Sequence, residues 1–378
     1  MPSKTFDRNC DPDRKDPEVL EERTDSPGLS RCLRNYENDY MTAIPEVHER
    51  YGGVLTVRGN RRVVAHYGRP ERTHAAIRKV AGVIEHGVGI LRVEGPDHCE
   101  AVSGSLTNSS PPEGGGVYGF VLEVGKIVAD AYVFDVGDRL LGFVPSDRIG
   151  AVADSWGRNG WTVTGATREM SVFGVYGPQA TEKVASVFSA TTPGTPLSIS
   201  RGAIRDVGVT VVRDDGVAGE EGYLVVAASG DAEAVFDAMV NRGLNAAPFG
   251  YETWEKLTLE AGTPLFESEL RDVDPATLGV RNAFPKGSTP DPSGRRLRAF
   301  RAVGVPESGA AVRANGRKIG AVTRAIESPG ESEGIGFAVV ERDGGDEWTI
   351  GDRRMDGTTT TLPFVEGSDR SARIPSLE

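Results

Sequence analysis

From residue 89 onward the chain is largely a succession of short runs rich in β-branched and aromatic residues, each cut off by Gly, Pro or Asp. Runs of that length and composition read as strands. "GILRVEG" (89–95), "GVYGFVLEVG" (116–125), "KIVADAYVF" (126–134) and "RLLGFVP" (139–145) make a first group. Gly125-Lys126 suits a tight hairpin between the second and third. Residues 73–86, just upstream, read as a helix with Thr73 as N-cap.

A second group opens near residue 161. "EMSVFGVYG" (169–177) is a strand, and Pro178 then starts a helix whose apolar face carries Ala180, Val184 and Phe188. Strands "DVGVTVVRD" (206–214) and "GYLVVAA" (222–228) follow. Asp231 caps a second helix with a stripe of Val235, Phe236, Met239 and Val240, closed by Gly243. This β-α-β-β-α order is most of a split βαβ unit. "YETWEKLTLEAG" (251–262) is a further helix stopped by Gly262, and a Pro, Gly and Ser cluster over 285–294 reads as a linker. Only short strands come after it, as a small β-barrel requires. The expected division is an extension over 1–40, a β-rich unit over 41–160, an α+β unit with a ferredoxin-like core over 161–290, and a barrel over 291–378. The first 40 residues are dominated by charges and Asp-Pro steps, bury too little to offset ordering entropy, and are expected to be disordered.

Composition removes several function classes. The net charge is −12, which argues against a nucleic-acid coat or a basic membrane-surface protein but not against a local basic pocket. Eight Lys against 35 Arg fits a salt-adapted or a GC-rich source. Cys10, Cys32 and Cys99 are too few for a disulfide framework or a four-thiolate zinc site. No apolar run has membrane-span length and the first residues lack a signal-peptide core, so a cytoplasmic protein without membrane partners is expected. All five His lie before residue 99. The sequence has no HExxH, no GxSxG, no strand-linked GxGxxG and no GxxxxGK[ST].

Four places remain where chemistry could sit. Asp130 shares one face of its strand with Lys126, Val128 and Tyr132, while Ile127, Ala129, Ala131 and Val133 form the apolar face. A mixed face fits a ligand cleft or a solvated surface. Glu220 lies between glycines in "VAGEEGYLVV"; it fits a solvated turn, or a fixed carboxylate taking two parallel N–H bonds from an amidine-like ring edge. His98 and Cys99 are nucleophile and base by type, but adjacent residues on a strand face opposite ways and would not meet. Arg295, Arg296 and Arg298 form a basic clump that fits a solvated edge or an anion contact.

Several segments, in order, resemble the T-protein of the glycine cleavage system and the related YgfZ-type folate-binding proteins. They are "ILRVEGPDHCEAVSGSLTN", "GKIVADAYVF", "MSVFGVYGPQATEKVASVF", "GEEGYLVV" and "LTLEAGTPLFESEL", with 316–340 similar to the family's C-terminal barrel. The "PFGYETW" segment is similar to archaeal members. The resemblance covers roughly 85–375. It implies an α+β, three-domain ring with antiparallel sheets and a folate site in the central opening. By position, Asp130 matches the aspartate near the reacting nitrogen of tetrahydrofolate, and Glu220 the glutamate that grips the pterin edge. Thr107 and Asn108 match the loop beside the site, with Ser109 where the family has Asp. Tyr223 follows Glu220 in the same motif and is counted as a ligand-binding candidate.

Two departures stand out. Trp254 and Thr258 occupy positions where T-proteins carry arginines, which removes the usual grip on the folate tail. The YgfZ-type Lys-Gly-Cys-Tyr motif is reduced to Lys286 and Gly287, with Ser288 in place of Cys. The implied function is tetrahydrofolate binding in support of iron–sulfur enzymes. The alternatives are an aminomethyl or methyl transferase working with a lipoyl carrier protein, and a paralogue using the fold for protein contacts. Tetrahydrofolate or a derivative is the expected cofactor, and a monomer the expected state.

Overall fold

The computed structural model describes residues 41–157, 161–242, 246–290, 294–328 and 333–376. The extension expected over 1–40 lies outside them. Strands and α-helices are numbered along the chain. Among the described residues there are a hairpin, two open sheets and a closed barrel. The hairpin is β1 (Val54–Arg58) and β2 (Arg61–His66). A five-stranded sheet has the order β5 (Gly116–Glu123), β6 (Lys126–Asp135), β7 (Leu140–Pro145), β4 (Val88–Glu94), β8 (Thr162–Gly165). A six-stranded sheet runs β10 (Ile199–Ile204), β11 (Val207–Arg213), β12 (Gly222–Ala228), β9 (Met170–Tyr176), β3 (Gly82–Glu85), β13 (Ala247–Pro248). The barrel is β14 (Arg295–Val303), β17 (Glu333–Glu341), β16 (Arg317–Glu327), β15 (Ala311–Ala314), β18 (Glu347–Ile350), β19 (Met355–Thr359), with β19 pairing back to β14. Pairing is antiparallel throughout except between β3 and β13. The fold is therefore α+β with a C-terminal barrel, as expected.

Helices pack against the sheets. They are α1 (Pro45–Arg50), α2 (Pro70–Ile77), α3 (Ile149–Trp156), α4 (Ala180–Ala185), α5 (Ala232–Asp237), α6 (Tyr251–Glu260) and α7 (Pro275–Leu278). The apolar row of β6 packs on α3: Ala129, Ala131 and Val133 share one core cluster with Val152 and Trp156. The opposite faces of the two open sheets meet in another cluster, where Ile90, Phe134 and Phe143 touch Val172, Tyr176 and Leu224, with Trp254 and Leu257 of α6. That seam holds the candidate site.

The local differences from expectation have physical causes. The helix read over 73–86 ends at Ile77, and residues 82–85 are strand β3. Val83 and Ile84 are buried on both faces, and a fully buried strand lacks the alternation that tells it from a helix end. Thr73 does not cap. It sits inside α2, which starts at Pro70, and its hydroxyl donates to the Arg69 carbonyl at 3.2 Å. The β5–β6 turn uses Val124 and Gly125, with φ of 49° and 77°, so Glu123 pairs with Lys126 and the turn falls one residue earlier than read. Strand β10 is not legible in the sequence, because "SISRGAI" alternates weakly. Asp231 precedes α5 without a side-chain cap bond, while the stripe Val235, Phe236, Met239 and Val240 is buried as expected.

After β19 the chain leaves the barrel and returns to the loop between β11 and β12. A Cβ on Gly367 would stand 1.7 Å from the Gly219 carbonyl oxygen, and one on Gly216 would meet the Arg370 and Ser371 backbone at 3.1–3.2 Å. The contact is backbone on backbone, which only glycine permits. Side chains lock it: Ser368 donates to Glu220, Arg213 pairs with Asp369, and Asn282 donates to the Ala372 carbonyl.

Candidate functional site

Where the two sheets and α6 meet there is a cavity of about 160 Å³. Its wall is aromatic: Tyr132, Phe143, Tyr176, Tyr251 and Trp254 line it. Its ionisable groups include Asp130, Asp214, Glu267, Arg58, Arg373 and His86.

Asp130 reaches this cavity because strand alternation turns it away from Ala129 and Ala131. Its Oδ2 accepts from the Tyr118 hydroxyl at 3.2 Å and from Arg373 Nη2 at 3.0 Å. Burial raises the pKa of its carboxyl, and Arg373 opposes the rise. Arg373 is held in turn by stacking over Tyr118 and Tyr132, 4.4 Å and 5.6 Å from the ring centroids, and by donating to the Pro264 carbonyl at 3.1 Å. A guanidinium between two ring faces is well placed for a buried carboxylate partner.

Asp214 and Asp215 sit side by side at the end of β11 and are both buried. Asp214 Oδ1 accepts the backbone N–H groups of Gly216 and Val217 at 2.8 Å and 3.0 Å. Burial, with Asp215 next to it, pushes its carboxyl up to about 7. Asp215 is also raised by burial, and accepts from Tyr132 at 3.0 Å and Ser371 at 3.5 Å. His86 is pushed down to about 4 by burial, so its imidazole is neutral; it bonds the Tyr176 hydroxyl at 2.9 Å and packs 4.9 Å from the Trp254 ring.

The sequence candidates separate. Asp130 lines the cavity, whereas Glu220, Asn108 and Tyr223 are not among its lining residues. Glu220 is buried with both oxygens engaged: Oε1 accepts from Arg78 at 3.1 Å, and Oε2 from the Ser368 hydroxyl and N–H at 2.8 Å and 3.2 Å. Asn108 donates to the carbonyls of Tyr118 and Asn282 at 2.9 Å and 3.0 Å, and Thr107 to that of Ala283 at 2.6 Å, so this loop ties β5 to the segment before the barrel. Tyr223 belongs to the core on the other face of β12; its hydroxyl meets Thr181 at 2.9 Å, while its neighbour Leu224 faces the cavity.

At the two positions lacking arginine, Trp254 forms cavity wall and Thr258 is buried, accepting from Arg324 of β16 at 3.0 Å. Lys286 and Gly287 line a separate hollow of about 520 Å³ with Arg296 and Arg342. Arg373 carried no sequence signal, since it reaches Asp130 from 243 residues away. His98 and Cys99 overturn the strand argument. They lie on a 3₁₀ turn, His98–Val102, where neighbours do not point apart, and both reach Asp135. Partial burial, helped by the neighbouring carboxylate of Asp135, pushes the Cys99 thiol up to about 11, so it is not an activated nucleophile.

With fold and site in hand, comparison with known proteins defines the class. The family described as the GCVT N-terminal domain matches residues 44–285, and the chain belongs to that family. Its curated relatives include the aminomethyltransferase of Parafrankia sp. (strain EAN1pec), 30% identical over 334 residues, covering 79% of this chain and 89% of that protein. The aminomethyltransferase of Mycobacterium tuberculosis (strain ATCC 25618 / H37Rv) is 27% identical over 343 residues, covering 81% and 92%. The crystal structure of glycine cleavage system aminomethyltransferase T from Bartonella henselae superposes with a TM-score of 0.78 at 20% identity, covering 88% of this chain and 99% of that one, which establishes the shared fold. Among the described residues, no helix is long and apolar enough to cross a membrane.

Proposed function

We propose that this protein transfers a one-carbon unit to tetrahydrofolate in the manner of the glycine cleavage T-proteins, with Asp130 as its catalytic carboxylate. The carrying observation is the placement of Asp130: a buried carboxylate in an aromatic-walled cavity, fixed by Tyr118 and Arg373. The relatives' shared name favours transfer over the iron–sulfur support that the sequence put first. Tetrahydrofolate, when bound, supplies the ring amine that takes up the carbon. The chain's part is to position that amine and exclude water. It also keeps a negative charge where positive charge develops, the arrangement that gives electrostatic catalysis most of its force.

The cavity suits the ring system of such a ligand. At about 160 Å³ it is smaller than the roughly 300–1,000 Å³ typical of pockets for whole drug-sized molecules, so the tail lies outside it. The flat walls of Trp254 and Tyr132 offer stacking faces. We assign the ring's N–H edge to Asp214, because it lines the cavity and Glu220 does not; Glu220 then anchors the loop and the tail that delivers Arg373. Arg58, at the cavity and resting 4.8 Å over the Tyr251 ring, takes the place of the missing arginines toward an anionic tail by exchanging its partner Glu255. A lipoyl-bearing carrier protein is the partner this reaction class requires.

Calorimetric titration with tetrahydrofolate tests the assignment. Asp214→Asn is expected to weaken binding by about tenfold or more, the loss of a charge-assisted hydrogen bond. Arg58→Ala is expected to weaken binding of polyglutamylated ligand more than that of the ring fragment. Full-strength binding by Asp214→Asn together with loss in Glu220→Gln would return the ring edge to Glu220.

A further inference from the structure

At the far end of β6 from the hairpin, the structure gathers His98, Cys99 and Asp135 around one point. By alternation Asp135 lies on the opposite face of β6 from Asp130, and this pocket shares no lining residue with the aromatic cavity. We propose that His98, Cys99 and Asp135 form a binding site for a divalent transition-metal ion of the zinc type.

The donor set is one imidazole nitrogen, one sulfur and one carboxylate, and their ligand atoms all lie within 4.8 Å of one another. His98 Nε2 stands 3.5 Å from Asp135 Oδ1, and Cys99 Sγ stands 3.4 Å from Asp135 Oδ2. In a tetrahedral site with bonds of about 2.0–2.3 Å, ligand atoms are separated by about 3.3–3.8 Å, and each donor stands at about that distance from one oxygen of Asp135, His98 from Oδ1 and Cys99 from Oδ2. A mixed N, S, O set selects a borderline ion rather than magnesium or calcium.

Two further observations favour a cation over an internal network. His98 Nε2 is buried, yet it has no hydrogen-bond partner among the described residues. The Asp135 carboxylate stands within ion-pair distance at 3.5 Å but makes no hydrogen bond to this nitrogen, and a metal ion between them would satisfy it. The charge around it is one-sided: Asp97 and Glu100 line the same pocket, of about 410 Å³, together with the three donors. That surrounding suits a bound cation and is the reverse of the electropositive setting that activates a nucleophilic cysteine. Asp135 also has a fixed orientation, since its Oδ1 accepts the Gly137 N–H at 2.8 Å, the kind of outer support that holds metal ligands in place. Three protein donors leave a fourth position open to the pocket for water or an exogenous ligand.

The test is a cobalt(II) titration of the metal-free full-length chain, followed by the thiolate-to-metal band in the near ultraviolet and the ligand-field bands in the visible. Zinc(II) competition would then give the affinity. Cys10 and Cys32 are thiols of the same chain, so a Cys10→Ser/Cys32→Ser variant is measured alongside. One equivalent of cobalt with a single-thiolate band is expected in wild type and in that double variant. His98→Ala and Cys99→Ser, each confirmed as folded by circular dichroism, are expected to weaken binding about tenfold or more, with Cys99→Ser losing the thiolate band. The absence of a thiolate band in wild type would overturn the proposal, as would a band kept by Cys99→Ser and lost from the double variant.

Discussion

At the residue scale the site depends on buried charges with unequal partners. Asp130 faces a guanidinium, whereas Asp214 faces a second carboxylate and two backbone N–H groups. The two therefore respond to pH differently. Burial and the adjacent Asp215 raise the Asp214 carboxyl to about 7 in the folded chain, against about 3.9 when unfolded. Between those values the folded state holds a proton that the unfolded state has released. The stability it confers is complete below pH about 4 and is lost as pH rises through about 7. Asp214→Asn keeps an oxygen for Gly216 and Val217 and removes this loss. Denaturant unfolding at pH 5 and 7.5 should show the variant gaining on the order of 2 kcal/mol relative to wild type at the higher pH, with a flatter profile. An unchanged slope would mean that Asp214 is ionised in the folded chain.

At the scale of elements, the helix α6 is one of the places where the barrel is fastened to the rest, beside the apolar cluster that joins Phe120, Ile127 and Leu278 to Leu297 and Phe337. Arg324 of β16 is 7% exposed and spans the junction. It donates to Thr258 and to the Glu255 and Thr263 carbonyls, and pairs with Glu269 at 3.3 Å. Glu269 is itself buried, accepts from Thr323, and caps the Leu265 N–H at 2.8 Å. Removing one member of a buried pair leaves the other charge uncompensated, at a cost of about 3–5 kcal/mol. Arg324→Ala should lower stability by that amount in urea titration, and the double change Arg324→Met with Glu269→Leu should recover most of it. Equal losses in the single and double variants would show that the pair is not the fastening.

The same elements show what a single sequence reveals. β6 was legible because Ile127, Ala129, Ala131 and Val133 alternate with a polar face, and that face led to Asp130. β3 was not, since burial on both sides erases the period. The C-terminal tail was illegible for a different reason. Its Ser368, Ser371 and Arg373 have no periodicity, and their meaning comes from docking on Gly216 and Gly219, more than 140 residues earlier in the chain. Glu220 was found by its motif, but a motif does not say that Arg78 and Ser368 already hold both its oxygens. His98 and Cys99 lie on a 3₁₀ turn, which does not obey the strand alternation that their sequence suggests.

At the scale of the whole molecule, the two open sheets and α6 meet so that an aromatic-walled cavity forms at their seam, and the C-terminal tail brings Arg373 to one side of it. The net negative charge of the chain does not oppose a ligand whose ring edge seeks a carboxylate, and Arg58 and Arg373 bring positive charge to that cavity. The account turns on Asp130, and carrier-dependent formation of methylene-tetrahydrofolate measures it most directly. Asp130→Asn, which keeps the shape and the Tyr118 contact, should lower kcat by about 100-fold or more while tetrahydrofolate still binds. Wild-type turnover by Asp130→Asn would contradict the role assigned to this carboxylate.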